Sequence, residues 1–199
     1  QVDSSADSPV DEDRVRDVWA RAGVLVNELA RPALFLNLPA TGNYRSGEPS
    51  YASLRRLLRS PPEWNVAGRT VYVCENPNLV AIAADHLGAD CAPLVCTDGM
   101  PAAAQRQLLS QLAQQGALLR YHGDFDWPGL GIANHVIREH GAQPWRLAAA
   151  DYMAAVRSST SPPHPLKGAV VEASWEPALT ASMRELQIAI AEEALAASL

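Results

Sequence analysis

Three apolar stretches that each lead into a helical pattern and then a glycine constrain the fold of this chain most. The apolar stretches are residues 70–74, 92–97 and 117–122, and the helical patterns are residues 77–87, 101–115 and 127–140. Gly88, Gly116 and Gly141 follow the three helical patterns, where a left-handed backbone ends a helix. Apolar strands that alternate with helices of this length are typical of βαβ units, whose parallel sheet is covered on both faces. The sequence therefore predicts an α/β fold.

The segment before this repeat is expected to form a separate flanking unit. Residues 1–12 are polar and acidic, which predicts a disordered lead-in. Residues 13–65 are then expected to form a helix-strand-helix unit. Its helices are predicted over 14–30 and 51–59, and its buried strand over 33–38.

The repeat itself is expected to span residues 66–157. It includes a short fourth strand near 144–147 and a further helix near 149–156. The Ser/Pro-rich composition that follows predicts a linker over 158–177. A C-terminal helix is predicted over 178–199. Because its apolar residues lie on more than one face, we expect it to dock on the domain or to meet a partner.

Acidic residues follow two of the predicted strands at the point where each strand ends. Glu75 comes directly after the first strand, and Asp124 and Asp126 follow the third strand. Side chains alternate along an extended backbone, so the two aspartates point to the same side. Parallel strands all end at one edge of the sheet, where ligands bind. If the first and third strands are neighbours, about 5 Å apart, the three carboxylates converge.

Converging carboxylates predict a site for a hard divalent cation. Like charges raise one another's pKa, and a bound cation removes the conflict. Oxygen ligands, without His or Cys spaced for zinc, favour Mg²⁺, with Mn²⁺ as a substitute. Water or a phosphate oxygen in the Mg²⁺ shell can then enter a reaction. The alternative is that these acids are loop residues and helix caps. Asp126 in particular precedes a predicted helix, whose positive end favours a carboxylate.

Two other polar residues near the strand ends have less specific interpretations. Asp98 lies in a Thr-Asp-Gly sequence, which is typical of a turn. The alternative for Asp98 is a role beside the metal or at a second metal. His122 is expected to pack at the end of its strand, with a role as a general base as the alternative.

Composition limits the function classes. A chain of 199 residues with 48% hydrophobic content can bury one sizeable core. Its net charge of −6 gives no overall basic surface, which argues against tight DNA binding by the isolated chain unless a basic partner or a missing domain contributes. Arg55, Arg56 and Arg59 on the predicted helix are expected to face solvent, with a DNA contact as the alternative.

The remaining global features indicate a cytoplasmic protein. Cys74, Cys91 and Cys96 have no CxxC spacing and are expected to be reduced thiols. No apolar stretch approaches the roughly 20 residues that span a bilayer, and the acidic start does not resemble a signal peptide. The start at Gln1, without Met, leads us to expect a fragment of a longer protein.

The acidic pattern resembles that of the Toprim domain of topoisomerases, primases and related nucleases. That pattern is a glutamate after the first strand and D-x-D after the third, matched here by Glu75, Asp124 and Asp126 within residues 66–157. The resemblance implies a Toprim-like Rossmannoid fold. Its central parallel four-stranded sheet would have the order 2-1-3-4 or an equivalent one, with helices on both faces. An extra N-terminal strand and helix and a C-terminal helix would be added to this core.

The amino-acid sequences of five segments are similar to those of one branch of that family. They are VCENP at 73–77, LVCTDG at 94–99, RYHGDFDWPG at 120–129, LNLPA at 36–40 and WEP at 175–177. These segments resemble the C-terminal Toprim module of the Wadjet plasmid-defence nuclease subunit, which is related to the A subunit of type IIB topoisomerases. The resemblance covers nearly the whole chain beyond residue 12.

The resemblance implies a Mg²⁺-dependent DNA endonuclease that works with an SMC-type ATPase complex against plasmid DNA. Glu75, Asp124 and Asp126 would be its metal-binding and catalytic acids, and Glu75 would also be a candidate proton acceptor. Type IIB topoisomerases attack with a tyrosine on a separate winged-helix domain, and no such domain is recognisable here. Either that domain lies upstream, in which case the chain alone is inactive, or the nucleophile is water.

Two other functions remain as alternatives from the sequence. The first is a non-catalytic Toprim-fold module for dimerisation or for binding within a DNA-processing complex, which the acidic charge and the C-terminal helix favour. The second is a receiver domain with acids at the same sheet edge. A receiver needs a lysine after a late strand, and the only lysine, Lys167, lies in the predicted linker.

Overall fold

A six-stranded sheet with strands in both directions forms the centre of the protein. The computed structural model describes residues 27–41, 44–159 and 162–198. The strands of the main sheet are β1 (Ala33–Leu36), β2 (Ser50–Ala52), β3 (Thr70–Cys74), β4 (Leu94–Cys96), β5 (Leu118–Tyr121) and β6 (Gln143–Pro144). A separate pair consists of β7 (His164–Pro165) and β8 (Ile188–Ala189).

The main sheet combines a parallel part with an antiparallel edge. Its order is β2-β1-β4-β3-β5-β6. The neighbours β4 and β3, β3 and β5, and β5 and β6 are parallel, whereas β1 is antiparallel to both β2 and β4. The predicted N-terminal strand thus joins the sheet and ends at Leu36. The helix predicted over 51–59 was wrong at its start, because residues 50–52 form an edge strand and the Ser53 side chain caps a shorter helix.

Six helices cover the sheet within the described residues. They are α1 (Leu54–Arg59), α2 (Pro77–Leu87), α3 (Ala103–Gln114), α4 (Trp127–His140), α5 (Ala149–Ser158) and α6 (Pro177–Leu186). Asn76 and Asp126 cap α2 and α4, and a proline lies in the first turn of each. Gly88 and Gly141 follow these two helices with φ of 52° and 65°. These local signals explain why both helices have the predicted bounds.

Alternate residues of the central strand face two separate apolar layers. Val71 and Val73 of β3 lie in the larger core, which contains buried side chains from α1, α3, α4, α5 and α6. Cys74 lies in the smaller core on the other face, where it packs with Leu79 and Val80 of α2. Helices on both faces therefore enclose the sheet, as the βα repeat predicts.

The predicted C-terminal helix over 178–199 was wrong in its second half. Helix α6 ends at Leu186, and Gln187 has a left-handed backbone with φ of 55°. The chain then forms β8 and a short 3₁₀ helix, Glu192–Ser198. Leu179 and Met183 of α6 are buried in the larger core, so this helix docks on the domain.

Other segments differ less from the prediction. The predicted linker 158–177 contains β7, which pairs with β8. The lead-in 1–12 and residues 14–26 of the first predicted helix lie outside the described residues. Residues 27–30, where that helix was predicted to end, form a turn.

The arginines of α1, the cysteines and the lengths of the apolar helices agree with the sequence predictions within the described residues. Arg55 and Arg59 pair with Glu28, and the guanidinium of Arg56 lies 5.2 Å from the centre of the Tyr44 ring. The three cysteines are free thiols. None of the helices in the described ranges is long and apolar enough to cross a membrane.

Candidate active site at the acidic edge of the sheet

Glu75 and Asp124 come close to each other because their strands are direct neighbours. Val73 of β3 pairs with Tyr121 of β5, and Glu75 and Gly123 each lie two residues further on. The backbone N–H of Asp124 points at the Glu75 carboxylate, with 3.4 Å between N and Oε2. A Cβ atom at Gly123 would lie 3.0 Å from Glu75 Oε2, so glycine leaves room for this approach. No strand separates the two halves of the site.

Asp126 has a structural role that the sequence left as an alternative. It is the N-cap of α4, and its Oδ1 accepts a hydrogen bond of 2.7 Å from Gly129 N. A carboxylate at this position also interacts favourably with the positive end of the helix. The Asp126 charge is still close enough to contribute to the raised pKa of Glu75.

Burial and mutual repulsion make the acidic pair unfavourable in its charged form. Burial, followed by the charge of Asp124, raises the pKa of Glu75 to about 7. Burial also raises the pKa of Asp124, although a hydrogen bond from a backbone N–H opposes the change. Among the described residues, none of the ion pairs involves either carboxylate. The pair therefore lacks a compensating positive charge.

A fourth acid, Glu192, enters the site from the C-terminal segment. Its side chain is fully buried, and its Oε2 accepts hydrogen bonds from Glu75 N at 3.0 Å and Asn76 N at 2.9 Å. Its own backbone N–H donates to Asp124 Oδ1 at 2.7 Å. Burial raises the pKa of Glu192 to about 9, whereas the hydrogen bonds that it accepts from Asn76 N and Glu75 N lower its pKa. We use the term acidic edge for Glu75, Asp124, Asp126 and Glu192.

Glu192 is the residue of this site that sequence reasoning missed. The prediction placed it in a continuous helix, where it would be an ordinary surface residue. The sequence does contain one signal, because Glu192 and Glu193 interrupt an apolar stretch. That signal becomes meaningful only once the chain turns at Gln187 and returns to the sheet.

Glu75 and Asp124 are the two acids whose chemistry decides whether this site suits a metal ion. In the part of the chain that the structure describes, no group of three or more His, Cys, Asp or Glu side chains is arranged to hold a metal ion. Mg²⁺, however, is usually bound by one or two carboxylates, with water and substrate phosphates completing its shell. Glu75 and Asp124 carry oxygen donors, and no described ion pair neutralises them. Their donor chemistry fits Mg²⁺ or Mn²⁺.

Asp98 and His122, whose interpretation the sequence left open, form no side-chain hydrogen bond with this pair among the described residues. Asp98 is exposed in the loop after β4 with a left-handed backbone of φ 54°, and Arg31 donates to its backbone oxygen at 3.0 Å. His122 is buried, its Nδ1 lies 3.1 Å from the Trp145 oxygen, and its ring packs against Phe125. Burial lowers the pKa of His122 to about 4. Asp98 is thus an exposed loop residue and His122 a buried packing residue in this structure.

The buried acids predict that the protein loses stability as pH rises above neutrality. Glu75 and Glu192 bind protons more tightly in the folded state, so their contribution is complete below the pKa of an unfolded carboxyl. The contribution of Glu75 is lost as pH rises through about 7, and that of Glu192 as pH rises through about 9. Between pH 7 and 8.5 the free energy of unfolding should fall by on the order of 1–2 kcal/mol, measured by urea denaturation.

The control for this prediction is Glu192→Gln, which removes one of the two titrating groups. Its free energy of unfolding should depend less steeply on pH over the same window. The buried histidines do not interfere, because their lowered pKa values affect stability only below about pH 6.5. An unchanged slope in this variant would contradict the assignment to Glu192.

The fold and the site together define an α/β protein with acidic side chains at the carboxyl ends of adjacent parallel strands. In sheets of this kind, ligands bind at that edge. The chain belongs to the DUF2399 family, described as a protein of unknown function C-terminus, whose model matches residues 50–199. No curated protein matches the chain.

Proposed function

We propose that this chain is a Toprim-type nuclease module that cleaves DNA with the help of Mg²⁺. The observation that carries the proposal is the contact between Glu75 and the Asp124 backbone at the ends of two adjacent parallel strands. The parallel strands β4-β3-β5-β6 follow the order 2-1-3-4 that the Toprim resemblance implies, which supports a Toprim-like core. We also propose that the module acts with an SMC-type ATPase complex against plasmid DNA. This part of the proposal rests on the resemblance.

The acids divide into groups with different tasks in this proposal. Glu75 and Asp124 would hold the cation, and Asp126 would fix the start of α4 while adding negative charge nearby. When bound, Mg²⁺ supplies Lewis-acid stabilisation of a phosphodiester that is being cleaved. Glu75 would also be the candidate proton acceptor that the resemblance implies.

A non-catalytic binding or dimerisation module is the second candidate, and specific contacts favour it. Asp124 Oδ1 already accepts a hydrogen bond from Glu192 N, and Asp126 Oδ1 is used by Gly129 N. With those atoms engaged, only part of each carboxylate is free for a cation. In this alternative, the acids stabilise loops and caps at the end of the sheet.

The experiment that separates the two candidates measures cation binding and plasmid nicking together. Full-length protein is incubated with supercoiled plasmid and Mg²⁺ or Mn²⁺, with EDTA as the control, and binding of Mn²⁺ is followed by electron paramagnetic resonance. If the protein is a nuclease, we expect nicking that requires the cation and Mn²⁺ binding with a dissociation constant of about 1 mM or lower. Neither nicking nor Mn²⁺ binding is expected of the non-catalytic module, and that result would overturn the proposal.

A further inference from the structure

We infer that Glu192 is a positioning residue of the acidic edge, which aligns Glu75 and Asp124 so that they act as one cation site. The inference rests on the proposed function, because alignment matters only if the two acids share a ligand. Its structural basis is independent of that function. The C-terminal segment is in contact with both halves of the site, and no other described residue hydrogen-bonds to both the Glu75 backbone and the Asp124 side chain.

The hydrogen bonds of Glu192 join two loops that come from different strands. Its carboxylate accepts from two successive N–H groups, those of Glu75 and Asn76, at the end of β3. Its own N–H donates to the Asp124 carboxylate, which follows β5. One residue thus restrains the main chain that carries one acid and the side chain of the other.

The segment that carries Glu192 is itself held in place. Phe125 and Ile190 exchange two backbone hydrogen bonds, of 2.9 and 3.2 Å, directly beside the aspartates. The hydroxyl of Tyr152 donates to the Ile188 oxygen at 2.7 Å. Ile190 is buried in the larger core. Because both ends of this contact are packed, Glu192 transmits a fixed geometry to the acids.

The burial of this carboxyl group is costly, which argues that its contacts have a specific use. Glu192 is 0% exposed, and within the described chain its Oε1 has no hydrogen-bond partner. An unpaired buried polar atom costs about 1–3 kcal/mol. An apolar residue would fill the same space without that cost, but it would leave the N–H groups of Glu75 and Asn76 without their acceptor.

Residues that orient metal ligands have measurable effects on metal affinity. Loss of such a partner typically weakens binding by about 10- to 100-fold, because the ligand must then be ordered when the metal binds. Glu192→Ala removes the acceptor of two N–H groups, whereas Glu192→Gln keeps an oxygen that can accept both. The inference therefore predicts different behaviour for two variants that both lack the carboxyl group.

The test measures Mn²⁺ affinity and amide hydrogen exchange in full-length protein. Glu192→Ala should raise the Mn²⁺ dissociation constant about tenfold and speed the exchange of the Glu75 and Asn76 amides by about tenfold. Glu192→Gln should stay within about twofold of the wild type in both measurements, since it retains the acceptor. The matched control is Thr180→Val in α6, which removes the buried acceptor of a hydrogen bond from Ala173 N. It should lower stability without changing Mn²⁺ affinity.

Each outcome decides the inference. Wild-type affinity and exchange in Glu192→Ala would overturn it. Equal loss of Mn²⁺ affinity in Glu192→Gln and Glu192→Ala would also overturn it, because acceptance of the two N–H groups would then not be what matters. If the wild type binds no Mn²⁺, the proposed function fails, and the exchange of the two amides alone decides whether Glu192 holds the loop.

Discussion

Replacing Glu75 with Gln or Asp124 with Asn should lower the rate of cation-dependent plasmid nicking by about 100-fold or more. Each change removes one of the two carboxylates that would hold the cation, and the first also removes the candidate proton acceptor. The shapes of the side chains are kept, so the loops should stay in place. The rate is measured as the loss of supercoiled plasmid in the presence of Mg²⁺ or Mn²⁺.

The same two variants should be as stable as the wild type or more stable. The pKa of Glu75 is raised by burial and by Asp124, which shows that the charged pair is unfavourable without a cation. Removing one charge relieves that repulsion, as is common when an active-site residue is replaced. Loss of cleavage together with unchanged or raised thermal stability would distinguish a catalytic acid from a structural one.

Two aspartates outside the pair provide controls. Asp98→Asn changes an exposed loop residue and should leave the nicking rate unchanged. Asp126→Asn keeps a good N-cap for α4, so its effect reports the contribution of the charge separately from the cap. Equal cutting by the wild type, Glu75→Gln and Asp124→Asn would remove the assignment of catalysis to these acids.

Gly129→Ala should destabilise the protein by roughly 1–3 kcal/mol and lower its melting temperature by several degrees. A Cβ atom at this position would lie 2.4 Å from the Asp124 carbonyl oxygen and 3.0 Å from Asp126 Oδ1. Both neighbours are rigid, because one is backbone and the other caps the helix. The strain would be relieved by moving the Asp124 loop, so weaker Mn²⁺ binding should accompany the lower melting temperature.

Gly131→Ala is the matched control on the same helix. A Cβ atom at Gly131 meets no atom within 4 Å among the described residues. Alanine is favoured over glycine inside a helix, so this change should stabilise the protein by about 0.5–1 kcal/mol. The two substitutions are chemically identical and should have opposite signs. Similar effects on the melting temperature would mean that α4 does not pack closely against the Asp124 loop.

The elements that sequence analysis predicted best are those whose limits are set by neighbouring residues. Strand β3 and helices α2 and α4 have the predicted bounds. In both helices a polar cap, an early proline and a following glycine mark the ends. Such signals act over a few residues, so they can be read without knowing the rest of the fold.

Errors occurred where a contact distant in sequence decides the local structure. Residues 50–52 have no strong strand pattern, and they form a strand because they pair with β1 in an antiparallel direction. The segment after Leu186 has apolar residues at helical spacing, yet it leaves the helix to pair with β7 and with Phe125. In both places, tertiary hydrogen bonds replace the local preference.

The sequence alone determined the α/β repeat and the placement of Glu75, Asp124 and Asp126 after strand ends, since hydrophobic periodicity and chain order specify both. Only the tertiary structure decided that β3 and β5 are neighbours, that Asp126 caps a helix, and that Glu192 reaches Glu75 across 117 residues of chain. The physical reason is that adjacency and burial depend on the packing of the whole chain. A carboxylate acquires a raised pKa and a shared ligand site only from the groups that packing brings beside it.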